Sequence, residues 1–230
     1  MGIFSVIIPT KNRPAFLAEA VASVLAQDYN QFELLILNDG DIDITSFQDK
    51  RVRVLNNHQR GAVRARNFGV AEAKGDYIAF LDDDDFFIDA DHLTRANAAL
   101  SDFAEFSFAD GTMYFPNGTK KLFSRKADKQ SLRIDNTILI STVCYRRSLH
   151  KELGILDEAL PYYWDWDWYL RVAFADFRME RSDRAAAAIR VHPQNMSGNS
   201  NLEERQANLD LFVAKHNLRN VTLKNHLDFV

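Results

Sequence analysis

The sequence predicts an α/β fold built on one mostly parallel sheet, and three observations carry that expectation. Short apolar runs of strand length at Phe4–Ile8, Phe32–Leu37, Val52–Leu55 and Tyr77–Leu81 alternate with stretches of helical periodicity. The runs are apolar throughout rather than alternating, as expected of parallel strands covered on both faces. Three of them end in polar tips, Pro9-Thr10, Asn38-Asp39 and the four aspartates Asp82 to Asp85, and sheets of this kind place ligands beyond the carboxyl ends of their strands.

Each element has a local reason. Phe4 to Ile8 is β-branched and apolar and is closed by Pro9. Pro14 suits the first turn of a helix, and Phe16, Leu17, Ala20, Val21, Val24 and Leu25 then recur at helical spacing up to the turn-like Gln27-Asp28-Tyr29-Asn30. After the second and third strands, Ala62 to Ala73 reads as a helix stopped by Gly75. The order β-α-β-β-α-β implies right-handed crossovers. Asp89 to Leu100 continues as a helix. Glu105–Tyr114 and Lys120–Phe123 suggest a hairpin around Pro116-Asn117-Gly118. Thr142–Tyr145 and Ala186–Val191 read as extended, Asp165–Ala175 and Leu202–His216 as helical. With no repeat, linker or low-complexity segment, residues 1–230 are expected to form a single domain.

Composition narrows the class. At 230 residues, 47% hydrophobic and 26% charged, the chain has ordinary globular make-up and length for a full core. A net charge of −4 without a long Lys/Arg run argues against a general nucleic-acid or anionic-membrane surface. Cys144 is the only cysteine, which excludes an intramolecular disulfide and a cysteine-based zinc site and fits a reducing compartment. No signal peptide or membrane span is legible, so the expected location is cytoplasmic.

The aspartate run carries the chemistry. Adjacent carboxylates repel one another and are costly to shelter unless a cation or hydrogen-bond donors compensate. Oxygen ligands of this kind suit Mg2+ or Mn2+ shared with substrate phosphates, although aspartates also serve as turns and helix caps. A nucleotide-diphosphate substrate follows as the first hypothesis.

Eight segments in order extend this into a resemblance: Phe4 to Thr10, Ser23 to Gln27, Asn38-Asp39-Gly40, Ala65-Arg66-Asn67, Gly75 to Asp82, Leu153 to Glu158, Asp165 to Arg171 and Arg190-Val191-His192. Together they resemble the family 2 glycosyltransferases of GT-A fold, a Rossmann-like, mostly parallel central sheet flanked by helices with a small antiparallel acceptor-side region. The resemblance implies a nucleotide-binding half in residues 1–100, an acceptor-binding half in 101–200 and a C-terminal helical segment in 201–230. It implies that Pro9, Thr10 and Asp39 line the nucleoside pocket. Asn38 stands where the family more often has an aspartate. Without the family, Asp39 reads as an Asx turn. Arg66 would reach the nucleotide phosphates. Asp84 would bind Mn2+ or Mg2+ directly, Asp82 would contact ribose or the metal through water, Asp83 fills the variable position among the nucleotide-binding residues, and Asp85 would cap the next turn.

By the same resemblance Asp165 is the general base of an inverting single displacement, taking the proton of an acceptor hydroxyl, with its pKa raised by neighbouring indoles. Asp167 reads instead as a helix-surface or helix-start carboxylate. Trp164, which replaces the glutamate common before the base, and Trp168 share a helical face. Trp164 is the better candidate to stack on an acceptor sugar, with core packing as the alternative. His192, in a loop running to Ser197, would contact the diphosphate or metal, whereas His58, His92, His150, His216 and His226 read as structural or solvated. The implied activity is hexosyl transfer in polysaccharide biosynthesis, from a UDP-sugar to a saccharide or lipid-linked glycan. The apolar positions Leu202, Leu209, Phe212, Val213 and Leu218 are expected to pack on the domain, with a homodimer or approach to a lipid acceptor as alternatives. Two rivals remain: a sugar-nucleotide nucleotidyltransferase, which would need a glycine-rich loop that Lys11-Asn12-Arg13-Pro14 lacks, and a non-catalytic protein of the same fold.

Overall fold

The structure, a computed structural model, describes residues 2–44, 47–57, 60–192, 195 and 201–224. His58, His226 and, apart from Asn195, the loop from Pro193 to Ser197 lie outside them.

Four parallel strands form the first half of the sheet: β1 (Phe4–Thr10), β2 (Phe32–Asn38), β3 (Val52–Asn56) and β4 (Tyr77–Phe80). They are joined by α1 (Pro14–Leu25) and α2 (Ala62–Glu72). The chain then passes through the two-residue strand β5 (Phe86–Phe87) into α3 (His92–Asp102), β6 (Phe106–Tyr114) and β7 (Lys120–Phe123). It continues with β8 (Cys144–Arg146), α4 (Leu149–Leu153), α5 (Trp164–Phe174), β9 (Met179–Arg190) and α6 (Leu202–Lys215). One sheet takes the spatial order β3-β2-β1-β4-β8-β6-β9-β5, with β7 paired to β6. The β4/β8, β6/β8, β6/β7 and β5/β9 pairs are antiparallel, and β6/β9 is parallel.

Side chains alternate across the strands, so the apolar runs bury both faces. Ile7, Leu35 and Leu37 point to the side covered by α2, α5 and α6, while Phe4, Val6, Ile8, Leu34 and Ile36 point to the side covered by α1 and α3. Gly69 lets α2 lie close to the sheet: a Cβ there would come within 2.8 Å of Ile7 Cγ2. In α6, Leu209 and Phe212 are buried, Leu218 just beyond is buried and Val213 packs partly, whereas Leu202 remains exposed. Phe212 sits 4.6 Å from the ring centre of Trp166, so α6 braces α5 from behind.

Several boundaries differ from the sequence expectation. β9 starts seven positions before Ala186, because Met179 to Ala185 is polar and only its pairing with β6 makes it a strand. A bulge at Ala109 to Gly111 adjusts that pairing. β5 was not anticipated, being too short to show a period. Among the described residues no helix is long and apolar enough to cross a membrane.

Candidate active site

β1, β2 and β4 run parallel, and their carboxyl ends bring Thr10, Asn38-Asp39 and the aspartate run to one edge. Each of the four aspartates of the acidic tip has its own partners. Asp83 Oδ2 accepts a 2.6 Å hydrogen bond from Thr10 Oγ1. Asp84 Oδ2 lies 2.9 Å from His192 Nε2 and accepts from Arg13 Nη1 at 2.8 Å. Asp82 pairs with Arg66, and its backbone N donates to Ser141 Oγ. Asp85 is buried, accepting from Ser141 Oγ at 2.5 Å and from the Arg190 backbone N at 3.0 Å. The expected turn-capping role of Asp85 is therefore corrected: its carboxylate faces inward as part of the cluster, and α3 begins at His92, its N-cap residue Asp91 making no side-chain cap.

Ligand oxygens of Asp82, Asp84 and Asp85 lie within 4.8 Å of one another. Burial raises the pKa of Asp82 despite the Arg66 charge, and raises that of Asp83 despite the Thr10 hydrogen bond. Burial, reinforced by Asp82 and Asp84, pushes Asp85 well above the usual carboxylate range. Three crowded hard-oxygen donors whose ionised forms are disfavoured by burial and mutual repulsion fit a single divalent cation of the Mg2+ or Mn2+ type. His192 Nε2, on Asp84, stands beside the same oxygens, with its ring stacked 5.8 Å from that of Phe16.

Asn38 and Asp39 divide the labour at the end of β2. Asn38 makes the Asx turn, its Oδ1 accepting from Gly40 N at 3.0 Å. Asp39, buried, accepts from Asn57 Nδ2 at 2.6 Å and from the backbone N of Gly61, the residue with φ +94° that opens α2. Asp39 thus braces the strand end against the helix start. Pro9 lies in the same strand end, paired in register with Leu37.

Arg66 is 4% exposed. From the buried face of α2 it bonds Asp82 and the Ala62 carbonyl, and its guanidinium carbon lies 4.5 Å from the ring centre of Trp164. Trp164 is itself buried, edge-on to Phe80. One face of the indole is thus occupied by Arg66. Trp168 is 1% exposed, stacked on His150 and packed against Tyr145, which makes it core.

Asp165, on the first turn of α5, accepts from Asn136 Nδ2 at 2.8 Å and from Trp166 N at 2.8 Å. Burial pushes its pKa up to about 6, opposed by those two donors and by the Arg66 charge and reinforced by Asp82. The Arg66 charge thus bears on Asp165 as well as on Asp82, with which Arg66 pairs directly. Asp167 also lies on the first turn, yet its carboxylate is wholly buried rather than at the surface. Burial there is outweighed by hydrogen bonds from His216 and Lys215 and by the Arg171 charge, which hold Asp167 down at about 2.

Arg13, Ser141 and Asn136 escaped the sequence reading. Arg13 carried a signal, a cation just past a strand tip opposite acidic ones. Ser141 and Asn136 lie in irregular segments with no periodicity, and nothing local marks them.

A mostly parallel sheet flanked by helices, with an acidic cluster at the carboxyl ends of its strands, is the architecture of GT-A transferases. The chain belongs to glycosyl transferase family 2, whose family description matches residues 5–154. It is 34% identical over 235 residues to the uncharacterized glycosyltransferase YwdF of Bacillus subtilis, covering 96% of this chain and 87% of that protein. In fold it resembles S. aureus TarS 1-349 in complex with UDP-GlcNAc, with a TM-score of 0.71 at 18% identity over 95% of this chain and 68% of that one. It also resembles the mannosyltransferase PcManGT of Pyrobaculum calidifontis in complex with GDP-Man and Mn2+, with a TM-score of 0.64 at 15% identity over 94% of this chain and 64% of that one.

Proposed function

We propose that this glycosyltransferase moves a sugar from a nucleoside diphosphate, most simply UDP, to a hydroxyl of a saccharide or lipid-linked glycan, with inversion at the anomeric carbon. The observation that carries the reading is the pairing of a clustered acidic tip with a separate, enclosed carboxylate, Asp165, whose pKa of about 6 suits proton abstraction near neutrality. The structural neighbours in complex with UDP-GlcNAc and with GDP-Man and Mn2+ support a nucleotide-sugar donor and a divalent ion.

In this reading residues 1–100 hold the donor. Thr10 and Asp39 mark the nucleoside end, and Arg13 and His192 flank the diphosphate. Asp84, with Asp82, Asp85 and His192 around it, would hold Mn2+ or Mg2+. When bound, that ion supplies positive charge against the departing diphosphate. Asp165 accepts the proton of the acceptor hydroxyl as its oxygen attacks, and Asn136 keeps the carboxylate oriented. A single displacement needs no covalent intermediate on the protein. Arg66 lies too deep, and is too well engaged by Asp82 and Trp164, to clamp a phosphate: its role is to join the donor-side and acceptor-side carboxylates. Trp164 supports Arg66 and presents only its remaining surface to an acceptor.

Turnover of a panel of nucleotide sugars with Mn2+ tests the proposal: release of nucleoside diphosphate that depends on both Asp84 and Asp165 is expected, and an active wild type matched by unchanged D84N and D165N variants contradicts it.

A further inference from the structure

The chain is acidic overall, yet one ten-residue segment is strongly basic. Between residues 120 and 129 stand Lys120, Lys121, Arg125, Lys126 and Lys129, all exposed, with Asp128 the only acid among them. They occupy β7 and the segment after it. Asp128 is engaged in its own turn, accepting from the backbone N of Gln130 and of Ser131. Lys129 pairs with Asp176, so the cluster centres on the β6–β7 hairpin.

The hairpin is shaped for a surface rather than a small ligand. Residues 116–122 are all exposed, the Asn117-Gly118 turn has Gly118 at φ +82°, and Leu122 is 62% exposed. Lys120 Nζ lies 4.3 Å from the ring centre of Tyr114, and Lys121 Nζ 5.8 Å from that of Phe115. Cations interleaved with aromatic and aliphatic side chains on an exposed hairpin match the boundary of an anionic bilayer, where ammonium groups meet headgroup phosphates and apolar side chains enter the acyl edge.

Its position is equally specific. Tyr114, at the end of β6, pairs in register with Arg190, whose Nη1 donates 2.7 Å to the Asp84 carbonyl. The hairpin therefore projects from the end of the sheet that carries the acidic tip.

We propose that the β6–β7 hairpin docks this protein on an anionic phospholipid bilayer, with the active-site end of the sheet facing the membrane. Whole-chain charge argued against such a surface; the local distribution overrides that average, since electrostatic attraction to a membrane decays within a Debye length. Docking concerns the surface alone and holds whichever donor or acceptor the crevice takes.

Co-sedimentation of the full chain with vesicles is the test. Binding to phosphatidylglycerol–phosphatidylcholine vesicles is expected, with little to pure phosphatidylcholine, and partitioning should fall as salt rises. K120Q/K121Q should lower partitioning about 25-fold, at about fivefold per cation, with an unchanged unfolding midpoint. Inorganic phosphate should compete no better than chloride at matched ionic strength. Equal binding to neutral vesicles, salt-insensitive binding, or displacement by phosphate beyond the chloride control would overturn the proposal. So would an absence of binding, which would leave the lysines as guards of an edge strand against pairing.

Discussion

Arg66 lies over Trp164 at 4.5 Å and also pairs with Asp82, so the residue preceding the base on α5 and the first aspartate of the β4 tip share one buried cation. The two carboxylate centres belong to separate elements far apart in sequence, and this contact ties them together. Removing Arg66 leaves Asp82 without its counter-charge, and because the Asp82 side chain is 32% exposed the cost falls below the roughly 3–5 kcal/mol of a fully buried pair. R66M is expected to lower the unfolding midpoint and to cut turnover at saturating donor. An R66M protein with wild-type midpoint and kcat would show that the bridge is incidental.

Asp165 sets the pH dependence. With its pKa at about 6, the group is protonated below that value and is then too weak a base to take an acceptor proton. kcat/KM should fall about tenfold per pH unit below the midpoint and level off above it. In N136A, loss of the Nδ2 donor removes stabilisation of the ionised form, so the acid limb should move to higher pH. A limb unmoved by N136A would deny Asn136 its part in orienting the base.

The same carboxylate trades stability for chemistry. Its folded pKa lies above the unfolded one, so its contribution is favourable below about pH 4 and is lost as pH rises through about 6. D165N should therefore unfold at least as late as wild type at pH 8 while losing about a hundred- to ten-thousand-fold in kcat. Thermal melts at pH 5 and pH 8 check the first part, and a D165N protein that melts early at pH 8 would contradict it.

Asp167 is the opposite case. Depressed to about 2 by His216, Lys215 and Arg171 against the cost of burial, it contributes stability that is present above about pH 4 and lost as pH falls through 2. D167N should cost about 3 kcal/mol, lowering the unfolding midpoint by roughly 6–12 °C, with the acid limb of kcat/KM in place. A shifted limb would move Asp167 from scaffold to chemistry.

These cases show what the sequence could and could not reveal. β1, β2 and β4 are legible because strands covered on both faces are apolar from end to end, and their polar tips are legible because the change of composition is abrupt. Met179 to Ala185 is not, since its strand character comes from β6. Asp85 looked like a turn cap because its partners, Ser141 and the Arg190 backbone, are remote. Asp167 looked solvated because its His216 partner lies 49 positions away. Arg66 reads from the sequence as a phosphate contact because its depth and its contact with Trp164 depend on helix packing that no local pattern encodes.

The account divides labour between an acidic tip that holds the donor and a base that does not, and calorimetric titration of UDP with Mn2+ into wild type, D84N and D165N tests this most directly. Wild type and D165N should bind with similar affinity, and D84N should lose at least tenfold, equal to about 1.4 kcal/mol. Undiminished binding by D84N, or a loss in D165N as large as that in D84N, would contradict it.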